Sequence, residues 1–349
     1  MRIGIIGPIA WRTPPLHYGG WELVSHYLTE GLVKRGHDVT LFATADSLTG
    51  AHLEAICPRP LNEDSKLHAR VFETLHLARA YEMAHEFDIF HNHTGSYAMT
   101  FTRLTKTPTV TTLHGSGAEP HSRIIYGLYK EQPYVSISNS ERALVPELNY
   151  LATVYNGIEP SSIPFSEKPG DYLLVIGRLS PDKGIHLAIE VANRCGIPLI
   201  LAGIVPPENR DYYEAEIKPK LKKGLVEYIG PVSQREKGEL FSGAFAYLHL
   251  ITYSEAFGLT IAESMASGTP VIGIGLGSVP ELVKEGLSGY IIPPAMQDKI
   301  IVENVDEALT KVTRLDRIAI REYASIAFNA DRMVEGYLEV YNKVVNKAW

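Results

Sequence analysis

Short apolar runs alternate with helix-period stretches along nearly the whole chain, and that alternation restricts the fold more than any other feature. Residues 2–7, 38–43, 88–92, 108–113, 133–137 and 151–155 read as buried strands, with helical patterns over 21–35, 66–85, 95–105 and 139–147. Further on, strands are expected at 171–176, 198–202, 225–229, 245–250, 270–274 and 289–292. Helices are expected between them at 183–194, 209–222, 233–242, 258–267 and 278–284, and then at 303–312 and 315–346. Strands that alternate with helices in this way call for parallel sheets covered on both faces. The best boundary is Asn156-Gly157-Ile158-Glu159-Pro160, running on to Pro164 and Pro169-Gly170, where Pro and Gly punctuate the chain and periodicity lapses. The 349 residues suffice for two domains, each with its own core.

Composition narrows the function classes. Hydrophobic residues at 45% and charged residues at 21% describe a globular protein. The net charge of −7 is spread evenly: 13 Lys and Arg against 16 Asp and Glu in residues 1–160, and 20 against 24 in the remainder. With no basic face or tail, a nucleic-acid partner is not expected. No apolar run has the length of a membrane span, and Met1 leads straight into the strand Arg2–Gly7, so neither a spanning segment nor a signal peptide is expected. Only Cys57 and Cys195 occur, one in each expected domain, which suits a reducing cytoplasm. Peripheral contact with a membrane surface and oligomeric state are left open.

Two segments of the second half carry chemistry. In the first, Ser254-Glu255-Ala256-Phe257-Gly258-Leu259-Thr260-Ile261-Ala262-Glu263, two carboxylates flank a Phe257-Gly258-Leu259 turn that opens a helix. A helix start offers unpaired N–H groups and partial positive charge, which suit a phosphate. At ~1.5 Å per residue the two glutamates are at most about 12 Å apart along a helix, the reach of a sugar joined to a nucleoside through a diphosphate. A solvated helix face is the bland alternative. In the second, the strand Leu173–Ile176 runs into Gly177-Arg178-Leu179-Ser180-Pro181-Asp182-Lys183-Gly184 and then a helical pattern. Gly177 permits a tight exit, and Arg178 and Lys183 put a bidentate fork and a mobile point charge on one strand-to-helix loop, where open parallel sheets bind ligands.

These two segments together resemble the retaining glycosyltransferases of family 4, with the GT-B fold. The Tyr18-Gly19-Gly20-Trp21-Glu22 run, the Pro108–Gly115 run and the closing Tyr337–Tyr341 helix resemble that family too, so the similarity covers nearly the whole chain. The resemblance implies two Rossmann-like doubly wound domains facing a cleft, an acceptor-side domain at 1–157 and a donor domain at 158–330. It also implies that 331–349 is a helix crossing back onto the first domain. It further implies a hexosyl group carried from a nucleotide-diphosphate sugar (GDP-mannose, UDP-glucose or UDP-N-acetylglucosamine) to a hydroxyl acceptor. That acceptor would be a saccharide, a lipid-linked sugar or a small metabolite, and polysaccharide, glycolipid or glycoside synthesis the setting.

Residue roles follow from the same resemblance. Glu255 would accept from donor-sugar hydroxyls and Glu263 from the ribose; Arg178, Lys183 and the Phe257-Gly258-Leu259 helix start would neutralise the leaving diphosphate. Gly177 joins the donor site. Gly19-Gly20 would face the donor phosphate or an acceptor group, and His114, at the tip of the Thr109–Leu113 strand, would touch the donor sugar. Trp21 departs from the small residue or Thr common after the glycine pair; stacking on an acceptor sugar and packing both stay open. His91 and His93 point the same way at strand spacing, which suggests cleft contacts or structural roles more than a metal pair, because no third ligand is evident. Without an Asp-X-Asp pair, no metal and no cofactor are expected. His26, His52, His68 and His76 read as surface. In this family a front-face route, in which the departing phosphate takes the acceptor's proton, is the usual view, so no nucleophile is assigned. The rivals are a GT-B sugar-nucleotide epimerase and a non-catalytic sugar-nucleotide-binding subunit. A nicotinamide oxidoreductase fails, since no Gly-X-Gly-X-X-Gly follows the first strand.

Overall fold

The computed structural model describes residues 1–347, with Ala118 described by its backbone alone. The chain forms two compact units, one built from Met1–Ile158 with the segment from Ala330 onward, the other from Glu159–Asn329.

The first unit carries seven parallel strands: β1 (Arg2–Ile6), β2 (Asp38–Phe42), β3 (His52–Glu54), β4 (Ile89–Asn92), β5 (Thr109–Leu113), β6 (Tyr134–Ser136) and β7 (Tyr150–Thr153). Their order is β3-β2-β1-β4-β5-β6-β7. Ile3 pairs with Val39 on one side and Ile89 on the other, so the order reverses between β1 and β4. Nearly every residue of β1, β2, β4 and β5 is buried, as a sheet covered on both faces requires. The last helix, Ala330–Val345, belongs to this unit. It buries Ala330, Met333, Val334, Tyr337, Val340, Tyr341 and Val344, a stripe at three- and four-residue spacing. Its tyrosines reach the sheet: Tyr337 Oη lies 3.0 Å from Thr112 Oγ1 and Tyr341 Oη 2.6 Å from His91 Nδ1. The Ala330 amide donates to the Ile158 carbonyl at 2.8 Å.

The second unit repeats the plan with β8 (Leu173–Ile176), β9 (Leu199–Ala202), β10 (Val226–Tyr228), β11 (Ala246–His249), β12 (Val271–Ile274) and β13 (Gly289–Ile292), in the order β10-β9-β8-β11-β12-β13. The reversal falls between β8 and β11. Its core joins Leu173, Val175, Leu187, Ile189, Leu201, Leu248, Ile272 and Val305 across both faces. In each sheet the reversal opens a crevice at the strands' C-terminal ends, where doubly wound folds bind ligands.

Several local expectations fail, each for a physical reason. The sequence does not announce strand β3, which is only three residues long, or the helix Pro120–Leu128, which buries Ser122 and Tyr126 but leaves Ile124 and Leu128 exposed. The helix expected over 209–222 breaks into Arg210–Tyr212, a π turn at Tyr213–Ile217 and a single 3-10 turn at Lys218–Lys220, where Pro219 cannot donate to the ladder. The 315–346 stretch is two helices, Arg317–Ala327 and Ala330–Val345, because the chain passes from one unit to the other between them. His76, expected at the surface, is buried in the helix Ala69–Glu82, with Nε2 donating to the Gly7 carbonyl at 2.9 Å; burial lowers its pKa to about 4.

Candidate active site

In the second unit Gly177 closes β8 and Arg178 to Lys183 form the loop after it, while β11 ends at His249 and leads to Glu255. These two strands are neighbours at the reversal point, so their loops converge. Lys183 Nζ lies 3.4 Å from Glu255 Oε2 and donates to the Tyr253 hydroxyl, which in turn donates to Glu255 Oε2 at 2.9 Å. The ammonium also sits 4.8 Å from the Tyr253 ring centre. His249 Nε2 approaches the same oxygen at 3.3 Å, off the line of an ideal hydrogen bond. Every one of these groups meets Oε2, and Oε1 has no partner among the described residues. Burial pushes the Glu255 carboxyl's pKa up, but Lys183's charge and the His249 and Tyr253 contacts outweigh it and hold the group well below the usual carboxylate range. Glu255 is therefore an anion with one oxygen held and one presented.

Local backbone fixes this geometry. Gly258 caps the helix Leu259–Ala266 in the left-handed region, φ 81°, which a side chain would strain. Gly277 lies so close to Glu255 that an added Cβ would come within 2.3 Å of its backbone nitrogen. Ser278 completes the clamp: its amide donates to the Glu255 carbonyl at 2.9 Å and its hydroxyl to the Phe257 carbonyl at 2.8 Å. Phe257's side chain is buried against Phe328, so any contact it makes with a ligand falls to its backbone. Leu259 and Thr260 form the first turn of the helix. Thr260 Oγ1 accepts from Tyr247 Oη at 2.8 Å, and Tyr247 Oη lies 3.1 Å from His249 Nδ1, so a buried chain of polar groups joins that turn to Glu255. Arg178 reaches Asp182 at 3.4 Å and keeps a buried, unpartnered Nε. Glu263, in the helix's second turn, meets Lys237 at 2.6 Å. Unpartnered buried polar atoms therefore gather here: Arg178 Nε, Ser180 Oγ and Glu263 Oε2. Buried polar groups are ordinarily bonded, so these three atoms retain hydrogen-bonding capacity.

The first unit places its candidates at the matching crevice. Gly19 precedes the helix Gly20–Lys34, and Gly20 has open space where a Cβ would stand. Trp21, 40% exposed, stacks on His114 with ring centres 5.4 Å apart. His114 Nε2 meets His93 Nδ1 at 2.9 Å, which leaves His93 Nε2 and His114 Nδ1 buried and unpartnered. Burial lowers His114 to about 3 and holds His93 and His91 well below the usual imidazole range, so all three rings are neutral near pH 7. His91 spends both ring nitrogens within the unit, on Tyr341 and on Thr112 Oγ1 at 2.7 Å. It has nothing left for an acceptor, because the closing helix packs against that face of β4. Among the described residues no cluster of three or more His, Cys, Asp or Glu side chains is arranged for a metal ion.

The family described as Glycosyl transferases group 1 matches residues 161–324, and Glycosyltransferase Family 4 matches residues 18–161. The chain is a GT-B glycosyltransferase of family 4. It is 24% identical to the O-antigen chain mannosyltransferase C of Escherichia coli over 95% of this chain and 96% of that one. Its fold is similar to sucrose-phosphate synthase from Thermosynechococcus elongatus, with a TM-score of 0.82 at 16% identity, covering 99% and 100% of the two chains. It is also similar to Anabaena HepE, solved in complex with UDP and glucose, with a TM-score of 0.75 at 19% identity over 98% and 100%.

For this glycosyltransferase the motifs left several supporting residues unnamed. Tyr253, His249 and Ser278 hold Glu255, and Lys237 holds Glu263. Glu141 accepts from the Gly115 amide and from the Ile137 amide at 3.1 Å, fixing the turn after His114; burial raises it to about 8. Glu22, raised to about 7 by burial, accepts from the Trp11 amide at 3.2 Å. Glu22 and Tyr253 stand beside recognised motif residues, which was a signal; Lys237, His249 and Glu141 lie on helices and strands where only coordinates reveal the partner. No helix among the described residues is long and apolar enough to cross a membrane.

Proposed function

We propose that the chain is a retaining, metal-independent glycosyltransferase that moves a hexosyl group from a nucleotide-diphosphate sugar to a hydroxyl acceptor. The observation that carries this reading is the convergence of Lys183, Tyr253, His249 and Glu255, which leaves one carboxylate oxygen of an anion free at the C-terminal crevice of the second sheet. Glu255 Oε1 accepts from the sugar's hydroxyls. Arg178, Lys183 and the Leu259–Ala266 helix start face the diphosphate and stabilise the charge that develops as it departs. Glu263 Oε2 takes the ribose. In the first unit Gly19 and Gly20 face the donor phosphate or an acceptor group, Trp21 serves the acceptor side, and His114 offers a neutral imidazole nitrogen to a sugar hydroxyl. Three cationic or dipolar groups on the diphosphate supply the stabilisation a divalent ion would otherwise give, which supports a metal-free route. The departing phosphate takes the acceptor's proton, so no enzyme nucleophile is required. HepE was solved with UDP and glucose, and the E. coli relative is named a mannosyltransferase; these support a hexosyl group carried on a nucleoside diphosphate.

Calorimetric titration with UDP, GDP and ADP, first in chelator and then with magnesium, tests the reading. Tight binding of one nucleotide in chelator is expected and names the donor class. Binding that needs magnesium would overturn metal independence, and binding of none would overturn the donor site.

A further inference from the structure

The two oxygens of Glu263 are treated unequally. Oε1 meets Lys237 Nζ at 2.6 Å, whereas Oε2 is buried without a partner. A bare buried acceptor destabilises a fold, because its lost hydration is not repaid. A fold that needed only stability could avoid that cost, since an apolar pair of similar volume replaces a buried ion pair with little or no loss. Lys237 is the other half. It projects from the helix Gln234–Gly243, whose start is fixed by a reciprocal Ser233 and Glu236 cap. Its side chain is 14% exposed, and Glu263 is its one side-chain partner among the described residues, so further N–H donors remain on the ammonium. An ammonium donor beside a bare carboxylate oxygen complements two adjacent hydroxyls. One hydroxyl donates to Oε2 while its neighbour's oxygen accepts from Nζ.

We propose that Lys237 is a specificity-determining residue that acts with Glu263 to read the vicinal diol of the donor's ribose, selecting ribonucleotides over deoxyribonucleotides. The inference rests on the donor reading above and adds a second, cationic half to the ribose contact. A site built to hydrogen-bond a hydroxyl rejects the analogue that lacks it, because its buried groups are then left unpaired.

The test is calorimetry on the full chain, using whichever of UDP, GDP and ADP binds together with its 2′-deoxy and 3′-deoxy counterparts. Loss of either hydroxyl is expected to weaken binding to the wild-type protein at least about tenfold, or ~1.4 kcal/mol. K237M is expected to lose discrimination at one hydroxyl and keep it at the other, where Glu263 still accepts. The double variant K237M/E263Q removes both charges together, so it leaves no lone buried ion, and is expected to bind all three nucleotides within about threefold of one another. Equal binding of ribo and deoxy forms by the wild-type protein would overturn the proposal, with no variant needed. Full discrimination at both hydroxyls by K237M, or full discrimination by the double variant, would overturn it too. If the wild-type protein binds no nucleoside diphosphate, the donor reading itself falls, and the two failures are thereby told apart.

Discussion

Replacing Glu255 by Gln keeps the shape of the side chain and removes its charge. Three protein groups converge on Oε2, namely Tyr253 at 2.9 Å, His249 at 3.3 Å and Lys183 at 3.4 Å, so the amide can still be held by its own oxygen. What changes is the free position. An amide NH2 would stand where Oε1 accepts from the sugar, and a charge-assisted acceptor would become a donor. Losing one such preorganised contact in the transition state costs about 2.7–4 kcal/mol, or about 10²–10³ in rate. Nucleotide affinity is expected to change less than about threefold, under ~1 kcal/mol, because Lys183, freed from its counter-ion, still faces the diphosphate. The assay pairs chromatographic measurement of sugar transfer with calorimetry of the nucleotide on the same folded variant. Transfer and nucleotide affinity falling by the same factor would refute the argument, since Glu255 would then serve binding generally. The sign of the pH dependence adds a check. A carboxyl held below its ordinary value contributes stability that is present above about pH 4.5 and lost as pH falls further. Between pH 5 and 8 Glu255 stays ionised, so it contributes no inflection to the transfer profile there.

His114 is already neutral by burial, so the transfer rate is expected to show no inflection near pH 6.5 from this ring, and a His114→Phe variant should lose rate by a similar factor at pH 6 and pH 8. Glu141 has the opposite sign to Glu255: burial raises it to about 8, so the stability tied to its protonated form is full below about pH 4.5 and is lost as pH rises through about 8. A Glu141→Gln variant should flatten the fall in melting temperature over that range, and an unchanged slope would count against the assignment. Arg317 is buried, and its guanidinium donates to the Ser166, Ala244 and Ser242 carbonyls at 2.7, 3.0 and 3.0 Å and to Thr269 Oγ1 at 2.6 Å. Arg317→Met leaves those acceptors bare and is expected to lower the urea midpoint by the equivalent of about 4 kcal/mol; no shift would refute the account of the network.

The family and the fold class were legible because both rest on local pattern. Alternating apolar runs force parallel sheets, and the Gly177–Gly184 and Glu255–Glu263 segments follow the two strands that flank the reversal point of the second sheet. Local pattern could not say which oxygen of each glutamate is committed. Glu255 and Lys183 are 72 residues apart and Glu263 and Lys237 are 26 apart, so their pairing is a product of strand order and of how two helices pack. The same limit explains the histidines. His91 and His93 share a face of β4 by the two-residue period, yet one is locked to the closing helix through Tyr341 and the other to His114, partners 250 and 21 residues away. Period gives direction, and topology decides what lies in that direction. In the second unit topology gives both glutamates the same arrangement: each is fixed through one oxygen by a lysine, and the other oxygen is left without a partner. An anion held that way cannot turn away when its ligand leaves, so the orientation cost is met by folding rather than at each binding event. Two acceptors fixed on either side of one helix start then set the distance between the hydroxyl groups that the site can read.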